Sequence, residues 1–326
     1  MKILIDLSNS PHVLFFRPII KKLEEKGHTV DIIARDHAQT KQLLDLFGME
    51  YALIGKHAGK SIYKKLWNAI SRVLEIARYI SKKKPDLCLS QQSPYIIWAA
   101  FLKGRKSIYL FDNDQAKQQN SLTFPLATKI ICPEAVKVKG KKFIKYPGVK
   151  EAVYISSWKF NYEGLEKIKK IKKKKILIRT EITSAAYHEG KDLLNLVKKL
   201  SKSYQIIISP RTKKQREAYK EIKEIIILDS PPDGPSLIKS VNLVMGGGGT
   251  MNREAATLGV PVISLYSGKL LEVDKDLIRQ GLMIHQNELE DQTIEKLLKR
   301  GKQINNLENI GKEAIKKIIC EIEGAI

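Results

Sequence analysis

Cysteine is scarce in this chain of 326 residues: Cys88, Cys132 and Cys320 are odd in number and widely spaced. Such spacing supports neither a disulfide framework nor a zinc site, and it points to a reducing compartment, the cytoplasm. Long apolar runs are missing as well, and none approaches the ~18–20 residues of a membrane span. The opening "MKILIDLSNSP" enters a strand-like segment at once, without the apolar region and small-residue cleavage site of a secretory signal. The patterns HExxH, CxxC and GxSxG do not occur, so the sequence offers no support for metal-dependent or serine-hydrolase chemistry. No metal and no tightly bound cofactor are expected.

Negative charge is also in short supply. Aspartate and glutamate number 35 against 58 lysines and arginines, a formal net charge of +23. Of the basic residues 47 are lysine, scattered over helix-like segments and short runs such as "SKKKPD" and "IKKIKKKK". Neither an RNA-binding aromatic signature nor a helix-turn-helix pattern accompanies them, so no specific nucleic-acid role is expected. Two readings of the charge stay open. One is a Lys- and Ile-rich compositional bias of a thermophile-like kind. The other is an anionic surface, which would place the protein peripherally on the inner face of a membrane.

What is present in abundance is short, β-branched apolar runs. "KILIDL", "TVDIIAR", "DLCLS", "SIYLF" and "KIIC" occupy the first half, and "KILIRT", "YQIIIS", "EIIIL", "VNLVM" and "VPVISL" the second. Segments of helical spacing lie between them. Fully apolar strands alternating with amphipathic helices indicate parallel sheets covered on both faces, a doubly wound α/β architecture. The alternation breaks around "YPGVKEAVYISSWKFNYEGLEKIKKIKKKK", which divides the chain into expected domains 1–150 and 151–326. The helical stretch from about Asp291 is expected to pack back on the first domain. Ligands of such sheets bind beyond the carboxyl ends of strands, which makes the connections there informative.

After "KILIDL" comes "SNSPHVLFFRPI", whose His12 is either a loop or cap residue or a general base near neutral pH. Arg17 and Pro18 are expected near the start of the following helix. "IGKHAGKS" resembles a P-loop but has three residues between Gly55 and Gly59 where that motif needs four, so it is not one. Lys56, His57, Lys60 and Ser61 remain candidates for a loop that closes on an anion. "YLFDNDQAKQQN" puts Asp112 and Asp114 after a strand, as acid/base groups or as an Asx-type turn. "ILIRTEITSAAYHEGKDLL" gathers Arg179, Thr180 and His188 in a connection denser in polar groups than a turn requires.

The most informative stretch is "VMGGGGTMNREAATLGVPVISLY". Four consecutive glycines cost stability, about 0.5–1 kcal/mol each relative to alanine in regular structure. A strand, a glycine turn and a helix N-terminus together expose backbone N–H groups to an anion. With Thr250 as N-cap, a capping box would want an acid or amide at 253; Arg253 stands there and Glu254 follows one residue late. A cation in a first turn opposes the helix dipole, which fits an anion bound nearby.

"GGGGTMNREAATLGVPVISL" resembles the nucleotide-sugar-binding segment of GT-B glycosyltransferases and of UDP-N-acetylglucosamine 2-epimerases, and "SNSPHVLFFRPIIKKLEEKGHTV" is similar to the opening of MurG-type transferases. "DLSNSPHVLFFRPI", "GKHAGKS", "YHEGK" and "GGTMNREAATLG" together resemble DUF354, a largely archaeal family of unknown function, over almost the whole chain. The resemblance implies a GT-B-like fold: two Rossmann-like parallel-sheet domains facing a central cleft, the second binding a nucleotide sugar, most simply a UDP-sugar. Carried over, Gly247, Gly248, Gly249 and Thr250 meet the diphosphate, and Glu254 the ribose. Arg179, Thr180, Arg253 and Lys269 line the same anion, and His12 lies in the acceptor cleft. The implied activity is metal-independent glycosyl transfer, and the positive charge adds a polyprenyl-phosphate carrier as a candidate acceptor. The alternatives are a UDP-sugar 2-epimerase or hydrolase, with Asp112 and His188 in acid/base roles, or a non-catalytic binding protein for nucleotide sugars or anionic polymers. An oligomer is compatible with any of these.

Overall fold

The computed structural model describes residues 1–36, 39–55, 62–180, 187–228, 233–286 and 290–325, with backbone alone for 62–66 and 187–192. The chain divides into two units, Met1–Tyr154 with Asn309–Ile326, and Ile155–Glu308. The first passage through unit 1 runs β1 (Lys2–Leu7), α1 (Ser10–Glu25), β2 (Thr29–Ala34), α2 (Thr40–Leu46), β3 (Ala52–Leu53), α3 (Ile62–Lys83) and β4 (Leu87–Gln91). It continues through α4 (Tyr95–Leu102), β5 (Lys106–Leu110), α5 (Lys117–Thr123), β6 (Lys129–Pro133), β7 (Phe143–Tyr146) and α6 (Lys150–Ile155), which straddles the division.

The seven strands pair in parallel in the order β3-β2-β1-β4-β5-β6-β7. Strands such as β1 are apolar almost throughout because both faces of a parallel sheet are covered. Asp6 is the one polar residue among the buried positions of β1, lying level with Ile33 of β2 and Ser90 of β4. Helix α1 begins at Ser10, earlier than the sequence pattern suggested. Asn9 Oδ1 accepts the Ser10 N–H at 2.9 Å, and Pro11 occupies the first turn. Pro18 is therefore inside the helix rather than at its start, a correction to the expectation above.

Unit 2 holds α7 (Glu166–Lys170), β8 (Lys175–Arg179), α8 (Tyr187–Ser201), β9 (Gln205–Ser209), α9 (Lys213–Tyr219), β10 (Ile225–Ile227), α10 (Gly234–Lys239) and β11 (Leu243–Gly246). Then follow α11 (Gly249–Thr257), β12 (Val262–Ser264), α12 (Glu272–Arg279), β13 (Ile284–His285) and α13 (Asp291–Arg300). Its six parallel strands are ordered β10-β9-β8-β11-β12-β13. Ile176, Ile178, Ile206, Ile208, Leu243 and Met245 of the sheet share a core with Val197 of α8 and Leu298 of α13.

The last helix, α14 (Leu307–Glu323), returns to unit 1. Its Ala314, Ile315, Ile318, Ile319 and Ile322 join the core of Ile3, Ile5, Val13 and Phe16. Each sheet reverses its winding direction once, between β1 and β4 and between β8 and β11. At such a switch point the connections diverge to opposite faces and leave a crevice beyond the carboxyl ends of the two strands. The candidate residues are found at those two places.

Candidate functional site

In unit 1 the connections after β1, β4 and β5 enclose a buried polar cluster. Asp6, wholly buried, takes both arms of Arg72 from α3, at 2.7 and 3.2 Å. Ser93 Oγ donates to the same carboxylate at 2.7 Å, and Arg72 Nε donates to the Ile54 carbonyl at 3.2 Å. Arg72 also lies over the Tyr95 ring. A buried ion pair is tolerated only when its remaining donors and acceptors are used in this way. Gly55, with φ +87°, is needed here, because a Cβ would press on the Arg72 side chain.

His12 is buried at the start of α1, with Nδ1 3.4 Å from Ser8 Oγ. Asp112, also buried, pairs with Lys150 at 2.7 Å and accepts a 2.8 Å hydrogen bond from Gln91 Nε2. Burial first, and then the Lys150 ammonium, push His12 down from the ordinary 6.5 to about 4, against the upward pull of Asp6 and Asp112. The imidazole is therefore neutral at pH 7 and can accept a proton, although burial disfavours the imidazolium that results. Asp114 is half-buried and accepts from Gln115 Nε2 at 2.6 Å. The Asx-type turn at this point is made by Asn113, whose Oδ1 accepts the Gln115 N–H at 3.0 Å.

In unit 2 the glycine run closes β11 and opens α11. None of Gly246, Gly247, Gly248 and Gly249 has a positive φ, so left-handed backbone is not what selects them. Crowding is. A Cβ at Gly246 would overlap Asn252, one at Gly248 the Arg211 guanidinium, and one at Gly249 the Arg253 guanidinium. Gly248, not Thr250, is the N-cap. Arg253 consequently falls in the second turn, buried, where Nη1 pairs with Asp274 of α12 at 2.9 Å. Its position is thus explained by a local ion pair. The Gly247 N–H donates to the Arg179 carbonyl at 3.0 Å and is committed to the sheet. The N–H groups that helix geometry leaves free of intrahelical partners begin with Gly249, Thr250 and Met251.

Two arginines converge on this turn. Arg179, at the end of β8, donates through Nη1 to Ser209 Oγ at 2.6 Å and to the Ser209 and Pro210 carbonyls at 3.2 and 3.3 Å. Arg211, just past β9, donates through Nε to the Thr180 carbonyl at 2.8 Å and lays Nη2 against Gly248. Burial, and then Arg211, lower Arg179 to about 10. The Thr180 hydroxyl donates to Gln215 Oε1 at 2.8 Å. Glu254 is buried in α11, its Oε2 near the Gly234 backbone at the start of α10, and is not a surface helix residue. Lys269 is exposed between β12 and α12.

Unit 1 therefore brings together His12 and Asp112, and unit 2 brings together Arg179, Thr180 and the glycine turn. Lys56, His57, Lys60 and Ser61 lie outside the described residues, as does the His188 side chain. Sequence reasoning missed Asp6, Arg72, Gln91, Ser93, Lys150 and Arg211. Two of these carried a signal: a carboxylate inside the apolar run "KILIDL", and an arginine two residues after "QIIIS". Among the described residues no cluster of His, Cys, Asp and Glu could hold a metal ion.

Comparison with known proteins gives these features a context. A family described as protein of unknown function (DUF354) matches residues 1–322. Uncharacterized protein MJ0665 of Methanocaldococcus jannaschii is 34% identical over 302 residues, 88% of either chain. Among solved structures, the UDP-GlcNAc 2-epimerase of Methanocaldococcus jannaschii aligns with a TM-score of 0.77 at 16% identity, over 99% of this chain and 100% of that one. MurG of Acinetobacter baumannii aligns with a TM-score of 0.59 at 15% identity, over 99% of each. At such identities the likeness shows the fold: two parallel-sheet α/β domains of the GT-B kind. With a family match over nearly its full length, the chain belongs to the DUF354 family.

Proposed function

We propose that this protein binds a nucleotide sugar, a UDP-sugar in the first instance, and transfers the sugar to an acceptor hydroxyl without a metal ion. The observation that carries the reading is the Arg211 guanidinium laid against Gly248, with Arg179 at the end of the adjoining strand β8. Arg179 and Arg211 are held close enough for one to disfavour the charge of the other. Such an arrangement is relieved by an anion, and the N–H groups opening α11 supply directed donors for the same anion. A diphosphate leaving group gains negative charge as the glycosidic bond breaks, so preorganised donors there lower the barrier. Glu254, buried in the same helix, is assigned to the ribose hydroxyls, and Arg253 supports the turn through Asp274. His12 accepts the proton of the acceptor hydroxyl, with Asp6 and Asp112 offsetting part of the cost of its charge. A polyprenyl-phosphate acceptor at the cytoplasmic face of a membrane fits the basic composition.

One observation favours a second reaction on the same substrate. His12, Asp112 and Lys150 share a single cluster, and removal of the C2 proton with loss of UDP from C1, then return of UDP to C1 and of a proton to the opposite face of C2, needs several acid/base groups rather than one. Incubation with a panel of UDP- and GDP-sugars separates the two. Nucleotide release that requires an added acceptor indicates transfer, and a new sugar epimer indicates epimerisation. Calorimetry with UDP tests the shared binding step: Glu254→Ala and Arg211→Ala should each weaken UDP about ten- to a hundredfold, at ~1.4 kcal/mol per decade. His12→Ala should leave that affinity unchanged and lower turnover by roughly 10²–10⁴. Unaltered UDP affinity in both binding variants would remove the assignment.

A further inference from the structure

Helix α3 shows an apolar outer face that its own core does not need. Val73, Ile76, Ala77 and Ile80 are buried and complete its inner side. Trp67, Ile70 and Leu74, at spacings of three and four, are exposed by 72, 48 and 47%. The next outward positions on the same stripe are Arg78 and Lys82. An exposed stripe of a soluble helix is ordinarily charged or polar; here its first half is Trp, Ile and Leu and its second half basic. Helix α4, which packs against α3, ends in Phe101 and Leu102, exposed by 57 and 61%, followed by Lys103, Arg105 and Lys106. From Ile62 to Lys106 there are ten basic residues and two acidic ones. Of the two, Glu75 accepts from Ser71, and Asp86 accepts the Lys2 N–H.

We propose that the Trp67–Ile70–Leu74 stripe of α3 is a docking surface for an anionic lipid membrane. The charge decides between occupants. A symmetric contact with a second copy would set this basic segment against itself, because an isologous interface brings the same patch together twice. An anionic bilayer supplies the opposite sign, and each lysine or arginine near its surface adds attraction that salt screens. An amphipathic helix with basic residues and a Trp among its apolar ones is suited to lie at the lipid headgroup boundary. The surface belongs to unit 1 alone and does not depend on the nucleotide reading.

The test is co-sedimentation of the full-length protein with vesicles of phosphatidylglycerol and of phosphatidylcholine, at low and high salt. The wild type is expected to partition at least about tenfold better into phosphatidylglycerol, with the preference lost at high salt. Trp67→Ser/Ile70→Ser/Leu74→Ser, all at exposed positions, should lower that partition at least about tenfold while leaving the thermal melt and the UDP affinity as they were. Vesicles with brominated acyl chains should quench wild-type fluorescence and not that of the triple variant, which retains Trp98 and Trp158. Absence of binding at low salt, or equal binding of the triple variant, would overturn the proposal. So would a wild-type dimer that the same substitutions convert to monomer.

Discussion

His12 shows how much the role of one residue depends on what surrounds it. The sequence places it after a strand and leaves open whether it is a cap or a base. Folding buries it among Ser8, Asp112, Lys150, Asp6 and Arg72, and holds it near pKa 4. The consequence for stability has a definite sign. Above the unfolded value of 6.5, His12 is neutral in both states and contributes no pH dependence. Between 6.5 and about 4 the unfolded chain takes up a proton that the folded chain does not, so stability falls as pH falls. The full loss approaches about 3 kcal/mol, because each tenfold drop in proton affinity on folding is worth ~1.4 kcal/mol. Urea melts at pH 7.5 and 4.5 should therefore show a steeper decline for the wild type than for His12→Gln. Parallel declines would mean that the imidazole is not held neutral. Neither Lys150 nor Arg72 could be named as a partner beforehand. Arg72 meets Asp6 across 66 positions of sequence, and nothing local to either residue encodes that meeting.

The elements themselves were legible, because apolar period and β-branched composition are properties of neighbouring residues. Their ends were less so. Helix α11 was expected to cap at Thr250, the better capping side chain, yet it caps at Gly248. Asn252, Arg211 and Arg253 crowd the backbone at Gly246, Gly248 and Gly249, which favours residues without a Cβ there. The two-residue difference also changes the meaning of Arg253, from an oddity of the first turn to one half of an ion pair with Asp274. Gly248→Ala should displace the Arg211 guanidinium without straining the backbone, whose φ of −145° suits alanine. Its effect should appear as UDP affinity weakened about tenfold, ~1.4 kcal/mol, with little change in melting temperature. A large loss of stability with intact affinity would show the glycine to be structural only.

Taken as a whole, the chain closes its first unit with its last helix. Ile318 of α14 is fully buried among residues drawn from β1 and α1. Ile318→Ala should cost unit 1 about 2–5 kcal/mol by removing apolar contact and leaving a cavity. Hydrogen exchange should register that loss in β1 and α1 more than in β8 or β9, and an even loss across both sheets would contradict the division into units. Residue order alone was enough to establish the doubly wound α/β class, the repetition of strand and helix, and the importance of the connections after the first strand and around the glycines. These follow from side-chain periods and turn residues, which act within a few positions of the chain. Folding in three dimensions was needed to finish the first sheet with α14, to bring Arg211 beside Arg179 at the glycine turn, and to set Lys150 and Asp112 around His12. Strand order brings those groups together, and strand order is set by how distant apolar faces pack rather than by any local pattern of residues.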